Sequence, residues 1–184
     1  MPRVTRRSAR YLSVTSTIPD QIQNPKLADY LEVITRAVFQ AGLSWAAIAK
    51  HWDAYREGFS AFDPHTVAAY TEGDIDRLMQ TDGVLHSTRK IRATIQNAQT
   101  LVELDREYEG FAKYLRLFPD YQTLSADFRR RFKFMGEMNV WYFLFRVREP
   151  VPQFEHWVKT IPGEHPRMKE MVEKGRSAGT SMEF

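Results

Sequence analysis

The chain has 184 residues, enough for one domain or for two small helical lobes sharing a cleft, and its apolar content of 43% suffices to bury a full core. It contains no cysteine, which excludes disulfides, a thiolate nucleophile and any cysteine-ligated zinc or iron–sulfur centre. A formal net charge of +3 permits binding to a phosphate backbone without arguing for it.

Histidines 51, 65, 86, 156 and 165 are scattered and share no compact ligand spacing, so neither a metal nor another cofactor is expected. The longest apolar run, residues 140–145, is far shorter than the ~20 residues a membrane span requires. No membrane partner is expected, and the cytoplasm is the default location. Residues 1–23 show no clear period and carry Arg3, Arg6, Arg7 and Arg10 without the apolar region of a secretory signal. This irregular basic segment fits an amphipathic targeting sequence, an arm near nucleic acid or a solvated tail. A helical domain over 24–176 and a flexible tail over 177–184 complete the expected organisation.

The first helix is expected to start with Asn24 as cap and Pro25 in its first turn, and to carry Leu27, Tyr30, Leu31, Ile34 and Val38 at helical spacing. Gly42 ends it in a left-handed or tight position. Ser44 caps the next helix, whose apolar face is Ile48, Trp52, Tyr55 and Phe59. Asp63-Pro64 opens a short helix, and Thr71 with Asp74 forms a capping box for another that buries Ile75, Leu78 and Met79. Ser87 or Thr88 starts a longer helix through Ile91, Ile95, Ala98, Leu101 and Leu104. Phe111, Tyr114 and Leu115 mark a helix closed by Pro119, and residues 125–131 form one that leads into the string FKFMG at 132–136. Residues 140–147 read as a buried helix stopped by Pro150 and Pro152, with short helices expected at 154–157 and 166–174. No stretch alternates with period two, so the fold class is all-α.

Two strings are distinctive: QAGLSW at 40–45, after an apolar helix, and FKFMG at 132–136, between two helices. Together with 62–69 (FDPHTVAA) and 82–98 (DGVLHSTRKIRATIQNA), in this order and register, they resemble the DNA 3-methyladenine glycosylase I family over about residues 27–147. The resemblance implies a helix–hairpin–helix glycosylase fold with two helical lobes around a cleft. It also implies a monofunctional N-glycosidic hydrolase that flips a modified, 3-methyladenine-type purine out of double-stranded DNA. No obligate protein partner is evident.

The same resemblance distributes roles. Gly42 and Leu43 would form the wedge that fills the vacated base stack. Trp45, Gln40, Trp141 and position 37 would line the base pocket, with Trp45 stacking on the extruded base. The other reading of Leu43 and Trp45 is ordinary core. The hairpin would hold a phosphate through backbone N–H groups near Gly136, with Lys133, Arg131, Arg89 and Lys90 facing DNA. The bland reading of these basic runs is solvated helix faces.

Three departures qualify the resemblance. Ala37 stands where the family has the acid that recognises the alkylated adenine. The cysteines of the family's zinc site are absent, as is its aromatic-rich N-terminal segment, for which Tyr11 is a weak substitute. Glu137 follows the hairpin glycine, where it either complements the helix dipole or points into the pocket in place of the missing acid. Glu137 and Glu149 are the candidate catalytic carboxylates; Glu32 is expected to face elsewhere and Asp82 to serve a turn or cap. No lysine sits at a nucleophile-like position after the hairpin, so lyase chemistry is disfavoured. A non-catalytic DNA-binding or interaction protein on the same scaffold is the alternative, and an enzyme acting on a free nucleoside or other metabolite is the third reading.

Overall fold

The computed structural model describes residues 21–42 and 45–162, all of them helical or irregular with no strand among them. The basic N-terminal segment before residue 21, Leu43 and Ser44 of the QAGLSW string, the helix expected at 166–174 and the C-terminal tail lie outside the described residues.

Helix α1 (Leu27–Gln40) is buried on most of its circumference, with Leu31, Ile34, Val38 and Phe39 at zero exposure, and so forms the centre of the fold. Its start differs from the expectation. Asn24 has φ +50 and precedes the helix; the Lys26 N–H opens it by donating to the Asp29 carboxylate at 2.7 Å. The acid three residues into the helix closes the turn, which a reading based on Asn24 and Pro25 overlooked. Gly42 has φ +77, the left-handed position expected after the helix end.

Helices α2 (Trp45–Lys50) and α3 (Trp52–Gly58) replace the single helix expected there, because His51 breaks from helical geometry at φ −110, ψ 15. The turn at Gly83 packs closely on this break: a Cβ there would come within 3.1–3.4 Å of Ala54 and His51. A 3₁₀ turn (Ser60–Phe62) leads into α4 (Pro64–Ala68), where Asp63 accepts from the Thr66 N–H at 2.7 Å. In α5 (Glu72–Met79) the Thr71 N–H donates to Asp74 at 2.8 Å. These two starts follow the sequence signals because a cap acts within a single turn.

The long helix α6 (Thr88–Glu107) buries Ile91, Ile95, Ala98, Leu101 and Leu104 and packs against α1, α4, α5 and α7 (Phe111–Leu115). Each such fully buried aliphatic side chain contributes about 1.5–3 kcal/mol relative to exposure. Helix α8 (Tyr121–Arg131) begins at Asp120, which accepts from the Thr123 N–H at 2.8 Å, one turn earlier than the apolar pattern suggested. Helix α9 (Glu137–Arg146) packs on α1 and α8 and buries every side chain from Val140 to Phe145. Helix α10 (Phe154–Trp157) closes the described chain.

Aromatic side chains build a lobe at each end of α1. Phe39 packs edge-on against Tyr55 and Phe59, in a stack continued by Trp52, Phe62 and Tyr70. Tyr30, nearer the start of α1, meets Phe111 at 4.9 Å, and this set extends through Phe128, Phe132 and Phe143. These two clusters pack the two ends of the all-helical core.

Asp127 ties α7 to the end of α8 by accepting from the Tyr114 hydroxyl at 2.9 Å and from Arg131 at 2.7 Å, and by pairing with Arg130. Burial pushes this carboxyl up, but the hydrogen bonds from Arg130, Arg131 and Tyr114 outweigh it and hold it below the usual range. A carboxyl depressed in the folded state stabilises the fold above its unfolded pKa, about 3.9, and loses that contribution as pH falls through the folded value. Asp127→Asn is therefore expected to lower the denaturation midpoint near neutral pH, with the gap to wild type narrowing on acidification below about pH 4. A gap independent of pH would show that the charge contributes nothing.

Candidate active site and nucleic-acid interface

The segment between α8 and α9 forms a tight hairpin. Phe134 adopts φ +59, and Gly136 caps α9 with open space where a side chain would stand. Two amides hold it. Asn97, at zero exposure on α6, accepts from the Lys133 N–H at 2.7 Å and donates to the Lys133 carbonyl at 3.1 Å. Asn139 donates to the Phe134 carbonyl at 2.8 Å. Neither amide was singled out from sequence. The available signal for Asn97 was a polar residue on the apolar stripe between Ile91 and Leu101.

An open depression of about 570 Å³ on one side of Phe134 is lined by Arg129, Arg130, Met135 and Gly136. On the other side, a groove of about 390 Å³ is lined by Arg89, Arg92, Gln96 and Lys133. Arg89 lies over the Phe134 ring at 4.9 Å, and Arg89, Lys133 and Gly136 are exposed. Two other predicted phosphate contacts are occupied internally. Lys90 donates to the carbonyls of Phe39 at 3.1 Å and Ala41 at 2.8 Å, so its ammonium caps the C-terminal end of α1, and burial lowers its pKa. Arg131 is drawn back onto Asp127.

The candidate carboxylates are also engaged. Glu137 accepts from Arg129 at 2.6 Å beside the hairpin. Glu149 is buried and takes both Nε and Nη2 of Arg116, at 3.2 and 2.9 Å. Its charge adds to the burial that pushes the Tyr30 hydroxyl up to about 12, which places it against the α1 core. Asp82 is exposed in the turn before Gly83.

Of the predicted pocket residues, Ala37 and Gln40 are buried on α1. Trp141 is 1% exposed, stacked on Phe145 at 5.2 Å and Trp157 at 5.6 Å, and donates Nε1–H to the Pro152 carbonyl. Its ring has no face left for a base and packs the second lobe. Trp45 differs: it is half-buried and meets Tyr142 edge-on at 5.7 Å. Tyr142 and Arg146 share one face of α9, and Arg146 donates to the Tyr142 hydroxyl at 2.9 Å.

On α1, Arg36 lies over the Trp52 ring at 4.3 Å and 3.9 Å from Glu32. Glu32 also accepts from Trp52 at 2.8 Å and Arg56 at 2.7 Å, so it organises this corner rather than facing away from it. Burial lowers the Arg36 pKa, with Tyr142 and Arg146 the next strongest influences, so these side chains lie within electrostatic reach of one another. The sequence reading left this group unassigned because each arginine occurs singly in an apolar helix.

The helices and the locked basic hairpin define the class first: an all-α protein of the helix–hairpin–helix glycosylase type. The sequence matches the profile of the methyladenine glycosylases over residues 24–141, and the chain belongs to that family. It is 34% identical over 88 residues to a DNA-3-methyladenine glycosylase of Haemophilus influenzae, covering 48% of each chain. To DNA-3-methyladenine glycosylase 1 of Escherichia coli it is 39% identical over 83 residues, or 45% of this chain and 44% of that one. The chain thus spans about half the length of the curated relatives it matches.

The solved 3-methyladenine DNA glycosylase I of Staphylococcus aureus is similar with a TM-score of 0.60 and 28% identity, over 70% of this chain and 79% of that one. A variant of 3-methyladenine DNA glycosylase I in complex with 3-methyladenine gives 0.59 and 30%, over 66% and 76%. The zinc implied by the family resemblance does not fit this chain: the sequence has no cysteine, and no acidic or histidine cluster among the described residues could hold a metal. No helix among the described residues is long and apolar enough to cross a membrane.

Proposed function

We propose that this protein is a monofunctional DNA glycosylase that flips a modified base out of a duplex and hydrolyses its N-glycosidic bond. The observation that carries the reading is the hairpin locked by Asn97, with exposed Arg89 and Lys133 beside it, in a chain of the methyladenine glycosylase family. Similarity to proteins named DNA-3-methyladenine glycosylases supports it. Backbone N–H groups at the start of α9 and the two cations would hold the phosphate backbone and set the register. Trp45 would then receive the flipped base.

Base release from duplexes carrying methylated, deaminated or bulky-adduct bases tests the reading directly. Liberation of one of these bases is the expected result. No release from any of them under excess enzyme would overturn it. Lys133→Ala is expected to weaken DNA binding about equally across sequences and to reduce the salt slope of binding by about one. A sequence-dependent loss would place Lys133 on a base instead.

Two observations favour the second reading, a non-catalytic DNA-binding protein. Ala37 offers no acid to a base, and Glu137 brings a carboxylate to the hairpin beside Arg129. Salt-dependent duplex binding without turnover is the result that would select it.

A further inference from the structure

The corner formed by α1, α9 and Trp45 has more positive charge than its own groups satisfy. Arg36 and Arg56 share the Glu32 carboxylate, at 3.9 and 2.7 Å, and the charge of Arg146 acts on Arg36. One Glu32 oxygen already receives Arg56 and Trp52 and has Arg36 at 3.9 Å. The Nε–H of Arg146 is buried and has no hydrogen-bond partner. A buried guanidinium N–H left without an acceptor is costly, and two guanidiniums within electrostatic reach of each other add repulsion. The Tyr142 hydroxyl spends a lone pair on Arg146, which leaves its own proton to donate. The cluster is therefore a set of donors beside the half-exposed ring of Trp45.

We propose that this cluster binds the oxygen-bearing edge of a planar base that carries negative charge, an oxidised or deaminated purine of the xanthine type, rather than a cationic alkylated base. The proposal rests on the glycosylase reading for its setting in DNA, but the binding chemistry stands on the cluster alone. Trp45 supplies a stacking surface, Arg146 and Arg36 meet carbonyl or anionic oxygens with planar donor forks, and Tyr142 adds a hydroxyl donor. In DNA, the bond between the anomeric carbon and the base nitrogen breaks with its electron pair passing to the base. The guanidiniums stabilise that charge, water adds to the anomeric carbon, and the water's surplus proton goes to the base or to solvent.

Calorimetric titration of the full chain with free xanthine and with free 3-methyladenine tests the first step. Xanthine is expected to bind and 3-methyladenine to bind more weakly. Arg146→Lys, which keeps the charge but loses the planar fork, should weaken xanthine binding about 10- to 100-fold. Arg36→Gln serves as the second variant if the first melts early. Binding of 3-methyladenine as tight as that of xanthine, no xanthine binding at millimolar concentration, or xanthine binding untouched in both variants would overturn the proposal. Duplexes carrying xanthine and duplexes carrying methylated purines form the second arm. Release of xanthine supports both readings. Release of methylated purine alone overturns this proposal and leaves the glycosylase reading standing. Xanthine bound as the free base but no base released from either duplex supports this proposal and counts against the glycosylase reading.

Discussion

Asn97→Ala is expected to cost about 2–4 kcal/mol of stability and to abolish DNA binding at moderate salt. The side chain is fully buried, and both of its polar atoms are spent on the backbone of Lys133. Alanine would leave the Lys133 N–H and carbonyl without these partners, and each buried backbone group so orphaned costs about 1–3 kcal/mol. Phe134, at φ +59, already sits in a conformation that a non-glycine residue adopts only when its surroundings enforce it. Chemical denaturation would read the stability loss, and a salt series of duplex binding would read the interface. Full DNA affinity in a destabilised variant would show that the hairpin does not carry the phosphate contact.

Trp45→Ala is expected to remove about 1–3 kcal/mol of base affinity, a loss of roughly 5- to 150-fold, while lowering stability by only about 1 kcal/mol. Two observations set this split. The ring is half-buried rather than sealed in the core, and it meets Tyr142 edge-on, an arrangement that leaves it a surface for another planar group. Trp141→Ala should behave in the opposite way. That ring is 1% exposed and packed between Phe145 and Trp157, so its loss should cost about 3–5 kcal/mol of stability. Base titration and thermal melts on the two variants separate these outcomes. If Trp45→Ala unfolds the chain instead, Trp45 is core and the base site lies elsewhere.

The two tryptophans show where sequence reasoning stops. Trp45 closes one motif string and Trp141 follows the other, and both were assigned to the pocket, yet only Trp45 keeps an accessible surface. The basic residues divide in the same way. Arg89 and Lys133 remain exposed beside the hairpin, whereas Lys90 caps α1 and Arg131 closes on Asp127. A long cationic side chain reaches whichever acceptor the tertiary fold brings close. For Lys90 those acceptors are the carbonyls of residues 39 and 41, about fifty positions away in the chain.

What the sequence by itself determined is local. The periodic apolar residues of α1 and α6, the caps at Asp63 and Thr71, the left-handed Gly42 and the hairpin string all act within one or two turns of chain, and the four ordered strings identified the family. What only the tertiary structure decided is the grouping of charge at the corner between α1 and α9. Arg36 and Arg146 lie 110 positions apart and were left unassigned by the sequence; packing α9 against α1 brings them within electrostatic reach, with Arg36 and Arg56 sharing one oxygen of Glu32. Burial is the physical reason it matters, because a desolvated N–H such as the Nε–H of Arg146 gains far more from an acceptor than one already satisfied by water.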